Sequence, residues 1–151
     1  MMQTKAWRRH CRADIEDLPA LMRLVQTACI ELDTSPGEQH DLLLMAEEAC
    51  VNVMHHAYPA GAHGSLTLKI SAAPCAIGWL LTLNVEDVGA PFDPLAPPLP
   101  DTDAAAEERA IGGLGILLIR ELADRVGYRH DAVLGNVLTI EKRLGAQPAT
   151  P

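Results

Sequence analysis

Between Glu38 and Pro59 the chain reads EQHDLLLMAEEACVNVMHHAYP. At 100° per residue, Leu42, Ala46, Ala49, Cys50, Val53 and Ala57 share one arc, widened by Leu43 and Met54. Glu48 and Asn52 stand one turn apart on the opposite side, with Asp41 and His55 beside them and His56 at the edge. The pattern predicts a helix with an apolar back that projects an acid and an amide together, ended by Pro59 and Gly61. A second helical spacing runs through Leu18, Leu21, Met22, Val25, Ala28, Cys29 and Leu32. Asp14 and Asp17 suit N-caps, and Pro19 fits only a first turn, so this helix should start near Asp17 and reach about Asp33.

Alternation takes over elsewhere. Residues 4–12 alternate imperfectly and read as an edge strand; 66–71 and 79–87 alternate cleanly, with Leu81, Leu83 and Val85 on one face. Pro74 to Gly78 should join those two as a hairpin. Residues 125–130 and 136–143 read as two more strands, with Gly135-Asn136 in the turn between them. Gly112-Gly113-Leu114-Gly115 is expected to open a helix from Ile116 to about Asp124. Ala90 to Ala110 breaks the pattern, with five prolines and then Asp101, Asp103, Glu107 and Glu108. Such a stretch is a surface loop or an active-site lid. With no repeats and no second core, the order predicts one domain over 1–151. Its fold class is a two-layer α/β (α+β) sandwich, a mainly antiparallel mixed sheet covered by helices on one face. A lid over about 90–111 and a frayed tail over 145–151 complete it.

Composition narrows the function. The 151 residues are 48% hydrophobic but only 3% aromatic, so the core must be aliphatic. A net charge of −8 disfavours nucleic acid, which needs a basic footprint. No apolar run approaches a membrane span, and nothing after Lys5, Arg8, Arg9 and Arg12 looks like a signal peptide. Cys11, Cys29, Cys50 and Cys75 match no metal or redox spacing and read as reduced thiols of a cytoplasmic protein. The six histidines form no ligand spacing either.

Three places carry candidate chemistry. Close glycines at 112, 113 and 115 let backbone N–H groups approach a ligand, and a helix N-terminus attracts phosphate. They are neither a Walker loop nor a dinucleotide fingerprint. Asp87, at a strand end, either caps a turn or accepts a hydrogen bond from an exocyclic amine such as that of adenine, and Gly89 would let the ring lie against the backbone. Asn52 offers a neutral oxygen of the kind Mg²⁺ takes, and Glu48 could accept a proton from an attacking hydroxyl.

The order Glu48-x-x-x-Asn52-x-x-x-His56-x-Tyr58, Asp87-x-Gly89 with Pro91-Phe92-Asp93-Pro94, Gly112-Gly113-Leu114-Gly115 and Gly135-Asn136 resembles the ATP-binding domain of the gyrase, chaperone, histidine-kinase and mismatch-repair superfamily. More narrowly it resembles the bacterial anti-sigma factors that are serine/threonine protein kinases of the partner-switching type, over about Arg12 to Leu144. The resemblance implies ATP and Mg²⁺ as cofactors, Glu48 as general base and Asn52 as Mg²⁺ ligand. It also implies that His56, Asp87, Gly89, Gly113, Leu114 and Gly115 bind ATP, and that Ala90–Ala110 is the ATP lid. It implies phosphorylation of an anti-anti-sigma protein, sequestration of a sigma factor, and a homodimer. Ile111 departs from the pattern: family members often carry arginine two residues before the glycine box, which here starts at Gly113. Two other functions fit the same residues, a non-catalytic ATP-dependent regulatory binding module and the ATPase domain of a sensor histidine kinase.

Overall fold

The computed structural model describes residues 3–96 and 105–145. Its elements, in chain order, are β1 (Lys5–Arg12), a 3₁₀ turn (Ile15–Asp17), α1 (Leu18–Leu32), α2 (Pro36–His56), β2 (Ser65–Cys75), β3 (Gly78–Asp87), α3 (Ala105–Leu122), β4 (Arg125–Asp131) and β5 (Gly135–Leu144). The strands form one sheet in the order β1-β2-β3-β5-β4, and every pairing is antiparallel. This is the expected α+β sandwich, with β1 at an edge.

Period-two alternation builds the sheet's inner face. Leu66, Leu68 and Ile70 of β2, Leu81, Leu83 and Val85 of β3, and Leu138 and Ile140 of β5 are all buried. Each such side chain contributes roughly 1.5–3 kcal/mol by leaving water. The other face is polar: His10 Nδ1 lies 2.8 Å from Thr67 Oγ1, Lys69 pairs with Glu86 at 2.9 Å, and Thr139 Oγ1 donates to Asn84 Oδ1 at 2.7 Å.

The central helix starts where a capping box places it. The Glu38 N–H donates to Ser35 Oγ at 3.1 Å, and the Ser35 N–H donates to Glu38 Oε1 at 2.9 Å. Glu38 Oε2 also accepts from the Gly145 N–H at 2.7 Å, tying the start of α2 to the end of β5. All six residues of the predicted arc are buried, and so is Met45, which the arc left out. Met45 is covered because α2 packs against both α1 and α3 as well as the sheet, so its buried arc is wider than a two-sided helix requires. Burial pushes the Cys50 thiol up to about 12, with Cys11 adding a smaller effect, so Cys50 packs as a small apolar group. No helix among the described residues is long and apolar enough to cross a membrane.

Three boundaries differ from the sequence expectation: the β2–β3 connection, expected over Pro74 to Gly78, narrows to 76–77 because the ladder continues to the pair Cys75–Gly78. The β4–β5 turn is 132–134, held by Asp131 Oδ1, which accepts from the N–H groups of Val133 (2.7 Å) and Leu134 (3.1 Å). Gly135 and Asn136 therefore open β5 instead of forming the turn. The larger difference is α3, which begins at Ala105 and runs through all three glycines. The residues before them, AAEERA, are strong helix formers and carry the helix in from upstream. Of the expected lid, 91–96 is irregular, 105–110 is helical, and 97–104 lies outside the described residues, as does the expected tail from 146 on.

Candidate functional site

Asp87 ends β3 and is 7% exposed. A carboxylate is tolerated there only if donors face it. Its Oδ1 accepts from the Gly89 N–H at 2.9 Å and from Asn136 Nδ2 at 2.8 Å. Sheet register creates the second bond, because Asp87 and Asn136 are paired across β3 and β5. Gly135 makes the approach possible. Its φ is +82°, and a Cβ there would strike the Asp87 carbonyl oxygen.

Chemistry fixes which way the Asn136 amide points. The Asp87 carboxylate and the carbonyls of Ala90 (3.0 Å) and Gly89 (3.3 Å) only accept, so Nδ2 faces them. Asn136 Oδ1 accepts from the Tyr128 hydroxyl and lies 3.2 Å from His130 Nδ1. The Tyr128 oxygen in turn accepts from the Phe92 N–H at 3.1 Å. On the other side, the Tyr58 hydroxyl accepts from the Val88 N–H at 3.0 Å and donates to the Ser65 carbonyl at 2.5 Å. Two tyrosines thus hold the chain as it leaves β3.

Asp87 lines a cleft whose other wall is α2. Asn52 reaches the same cleft, and Ala49, Val53, Val85 and Leu138 make its sides apolar. Phe92 and Pro94 line it from the β3–α3 connection. The half-exposed Phe92 stacks on His56, with ring centroids 5.8 Å apart and planes 27° apart. One turn before Asn52, the half-buried Glu48 meets α3: a Cβ built on Gly115 would collide with Glu48 Oε2. The fold therefore joins Asn52 with Asp87, His56 with Phe92, and Glu48 with Gly115.

The remaining expected residues fare differently. A Cβ on Gly89 would strike the Ala57 carbonyl oxygen, so glycine is required there by the passage of β3 past the end of α2. Leu114 is 61% exposed. Gly113 lies inside α3, as do Gly112 and Gly115. Amides in a helix interior bond the carbonyl four residues back, so these glycines lack the free N–H groups that a helix start supplies. The expectation that they open a helix does not hold.

Sequence reasoning gave no site role to Phe92, Pro94, Tyr128 or Asn136. Phe92, Pro94 and Asn136 stood within the quoted motifs, but nothing in the spacing of Asp87 and Asn136, 49 residues apart, announces their pairing.

Residues 11–142 match the family described as Histidine kinase-like ATPase domain. No curated protein matches the chain. Among solved structures, the chain is similar to the RsbU and RsbW domains of Rv1364c from Mycobacterium tuberculosis, at a TM-score of 0.63 and 16% identity. That likeness, one of fold, covers 96% of this chain and 34% of the other, so the chain spans about a third of that structure's length.

Proposed function

The chain belongs to the histidine kinase-like ATPase domain family, and from that premise we propose an ATP-dependent serine/threonine protein kinase of the anti-sigma type. It would phosphorylate an anti-anti-sigma partner, sequester a sigma factor and act as a homodimer. One observation carries the reading: Asn52 from α2 and Asp87 from β3 meet in a single apolar-walled cleft, with Glu48 one turn along the helix. In it, Asp87 accepts from the exocyclic amine of adenine. The carboxamide oxygen of Asn52 is a hard ligand that suits Mg²⁺, an ion that takes few protein ligands and arrives with phosphates. Bound there, Mg²⁺ would neutralise charge on the β- and γ-phosphates. Glu48 takes the proton of the attacking serine or threonine hydroxyl. The fold likeness to the RsbU and RsbW domains supports this reading at the level of architecture.

A second reading, an ATP-dependent binding module without transfer, is favoured by the passage of α3 through Gly112–Gly115 and by Ile111 two residues before Gly113. Incubation with ATP, Mg²⁺ and candidate partners, followed by mass spectrometry, separates the two. Phosphoserine or phosphothreonine on the partner is the expected result. Partner binding without transfer would favour the module, and phosphohistidine would favour a sensor-kinase ATPase domain.

A further inference from the structure

Asn136 is 4% exposed and lies on the far side of the cleft from the helix that carries Glu48 and Asn52. Its Nδ2 has two hydrogens and three acceptors. Asp87 Oδ1 and Ala90 O are the nearer two, and Gly89 O is the third. Its Oδ1 accepts from the hydroxyl of Tyr128 and lies 3.2 Å from His130 Nδ1. Among the described residues, the hydrogen bonds to the Asp87 side chain all fall on Oδ1. An aspartate's terminal torsion is broad and roughly two-fold, so a carboxylate without such donors would swing. Here one oxygen is committed to the protein, and that sets the direction of the other.

If the cleft takes an adenine nucleotide, as proposed above, this arrangement has a consequence for specificity. We propose that Asn136, held by Tyr128, is a positioning residue with two effects. It aims the free oxygen of Asp87 at the base, which makes the site selective. It also joins that carboxylate to the first residues of the β3–α3 connection, so that base recognition and the connection's conformation are coupled. The joined groups are specific: Asp87 by its side chain, Gly89 and Ala90 by their carbonyls, and Phe92 by its N–H to Tyr128. All four are tied to two side chains of the β4–β5 hairpin, and Phe92 itself lines the cleft and stacks on His56. A shift of the base against Asp87 is therefore felt at Phe92 through two side chains. An asparagine that merely occupied a strand position would need partners, but not partners on both the reading carboxylate and the connection.

Two measurements test this on the full chain. The first is calorimetric affinity for ATP and for GTP, each with Mg²⁺, on the wild type, Asn136→Ala and Tyr128→Phe. The wild type should prefer ATP by at least about tenfold. Asn136→Ala should bring that preference toward parity, and Tyr128→Phe, which keeps the amide and the nearby His130 but loses the hydroxyl that donates to Oδ1, should reduce it by roughly two- to tenfold. The second needs no nucleotide: amide hydrogen exchange at Gly89 and Phe92. In Tyr128→Phe, exchange at Phe92 should speed up because its acceptor is gone, and exchange at Gly89 should also speed up because Asn136 no longer steadies Asp87. Unchanged exchange at Gly89 in a folded Tyr128→Phe overturns the coupling. Full ATP preference in a folded Asn136→Ala overturns the positioning role while leaving the nucleotide reading intact. If Asn136→Ala does not fold, full preference in Tyr128→Phe overturns that role instead. A wild type that binds neither nucleotide, or both equally, overturns the adenine reading and the selectivity role together, and the exchange experiment still decides the coupling.

Discussion

At one end of the cleft, Asp87 is held by a backbone N–H and by the residue paired with it across the sheet. Outside the cleft lining, one turn before Asn52 on α2, Glu48 is flanked by a neighbouring helix that comes close only because Gly115 has no side chain. The first arrangement is fixed by strand register, where a one-residue slip would turn every side chain to the wrong face. The second depends on helix packing, and packed helices can shift by an ångström or two without losing their contacts. The hydrogen bonds that hold Asp87 are therefore set by the sheet itself, beside a cleft of about 20 Å³. The surroundings of Glu48 depend on the position of α3, which runs unbroken through Gly112, Gly113 and Gly115.

The largest effect expected from this contrast is at the adjustable end. Glu48→Gln keeps size and hydrogen bonding but removes the proposed base, and should lower the proposed phosphoryl transfer by about 10²- to 10⁴-fold with ATP affinity nearly unchanged. Single-turnover transfer rates and calorimetric affinities check it, and wild-type transfer would remove Glu48 from the base role.

Gly115→Ala sharpens the comparison by moving Glu48 without touching the sheet. The colliding atom is the far end of a flexible side chain, so the fold should survive. An alanine inside a helix is even favoured over glycine by up to about 1 kcal/mol. Transfer should nonetheless fall, by up to about 10²-fold, because the carboxylate is displaced by an ångström or so. An unchanged or raised melting temperature with a reduced rate is the expected pair of results; an unchanged rate would mean that α3 does not position Glu48.

The Asp87 end predicts a smaller and different effect. Asp87→Ala should weaken ATP by about tenfold and shrink the preference over GTP, since guanine presents an acceptor where adenine presents an amine. Asp87→Asn should be milder for ATP and partly rescue GTP. An aspartate that only capped the turn through the Gly89 N–H would give lower thermal stability with base preference unchanged.

The smallest effect lies far from both ends and serves as the control. Ser35→Ala breaks the capping box of α2 and should cost roughly 0.5–2 kcal/mol of stability with no change in nucleotide preference. Its partner gives a pH signature. Burial opposes ionisation of Glu38, but the hydrogen bonds from the Ser35 and Gly145 N–H groups and the Ser35 hydroxyl, with Lys142 nearby, outweigh it and hold the carboxyl below its ordinary value of 4.5. A carboxyl whose folded value is depressed adds stability above its unfolded value and loses it as pH falls through the folded one. The penalty of Glu38→Gln should therefore be full near neutral pH and shrink as pH drops below about 4.5. Denaturant melts at several pH values measure it.

Much of this molecule is legible along the chain. Period 3.6 in residues 38–59 and period 2 in residues 66–71 and 79–87 report which side of each element leaves water, and burial agrees at every residue of the predicted α2 arc. The motif residues Glu48, Asn52 and Asp87 were legible for a related reason: each sits at a set place on a helix face or a strand end. The end of α2 was also marked, by Pro59 and Gly61 just beyond it.

What the chain could not declare was decided between elements. Met45 is buried because α2 packs against α1 and α3 as well as the sheet, and no local period encodes such neighbours. The glycines at 112, 113 and 115 carry two opposite local signals, their own freedom and the helix-forming run before them, and in the fold the helix continues. The partnership of Asp87 with Asn136 follows from the β3–β5 register, whereas the β4–β5 register sets His130 opposite Asn136 and leaves Tyr128 to reach it diagonally, from the position opposite Leu138. Sequence determined the elements and the faces they bury, because burial periodicity is a property of one element's axis. Tertiary structure decided which polar groups meet, because hydrogen-bond partners 49 and 8 residues apart are chosen by strand register, which no local pattern contains.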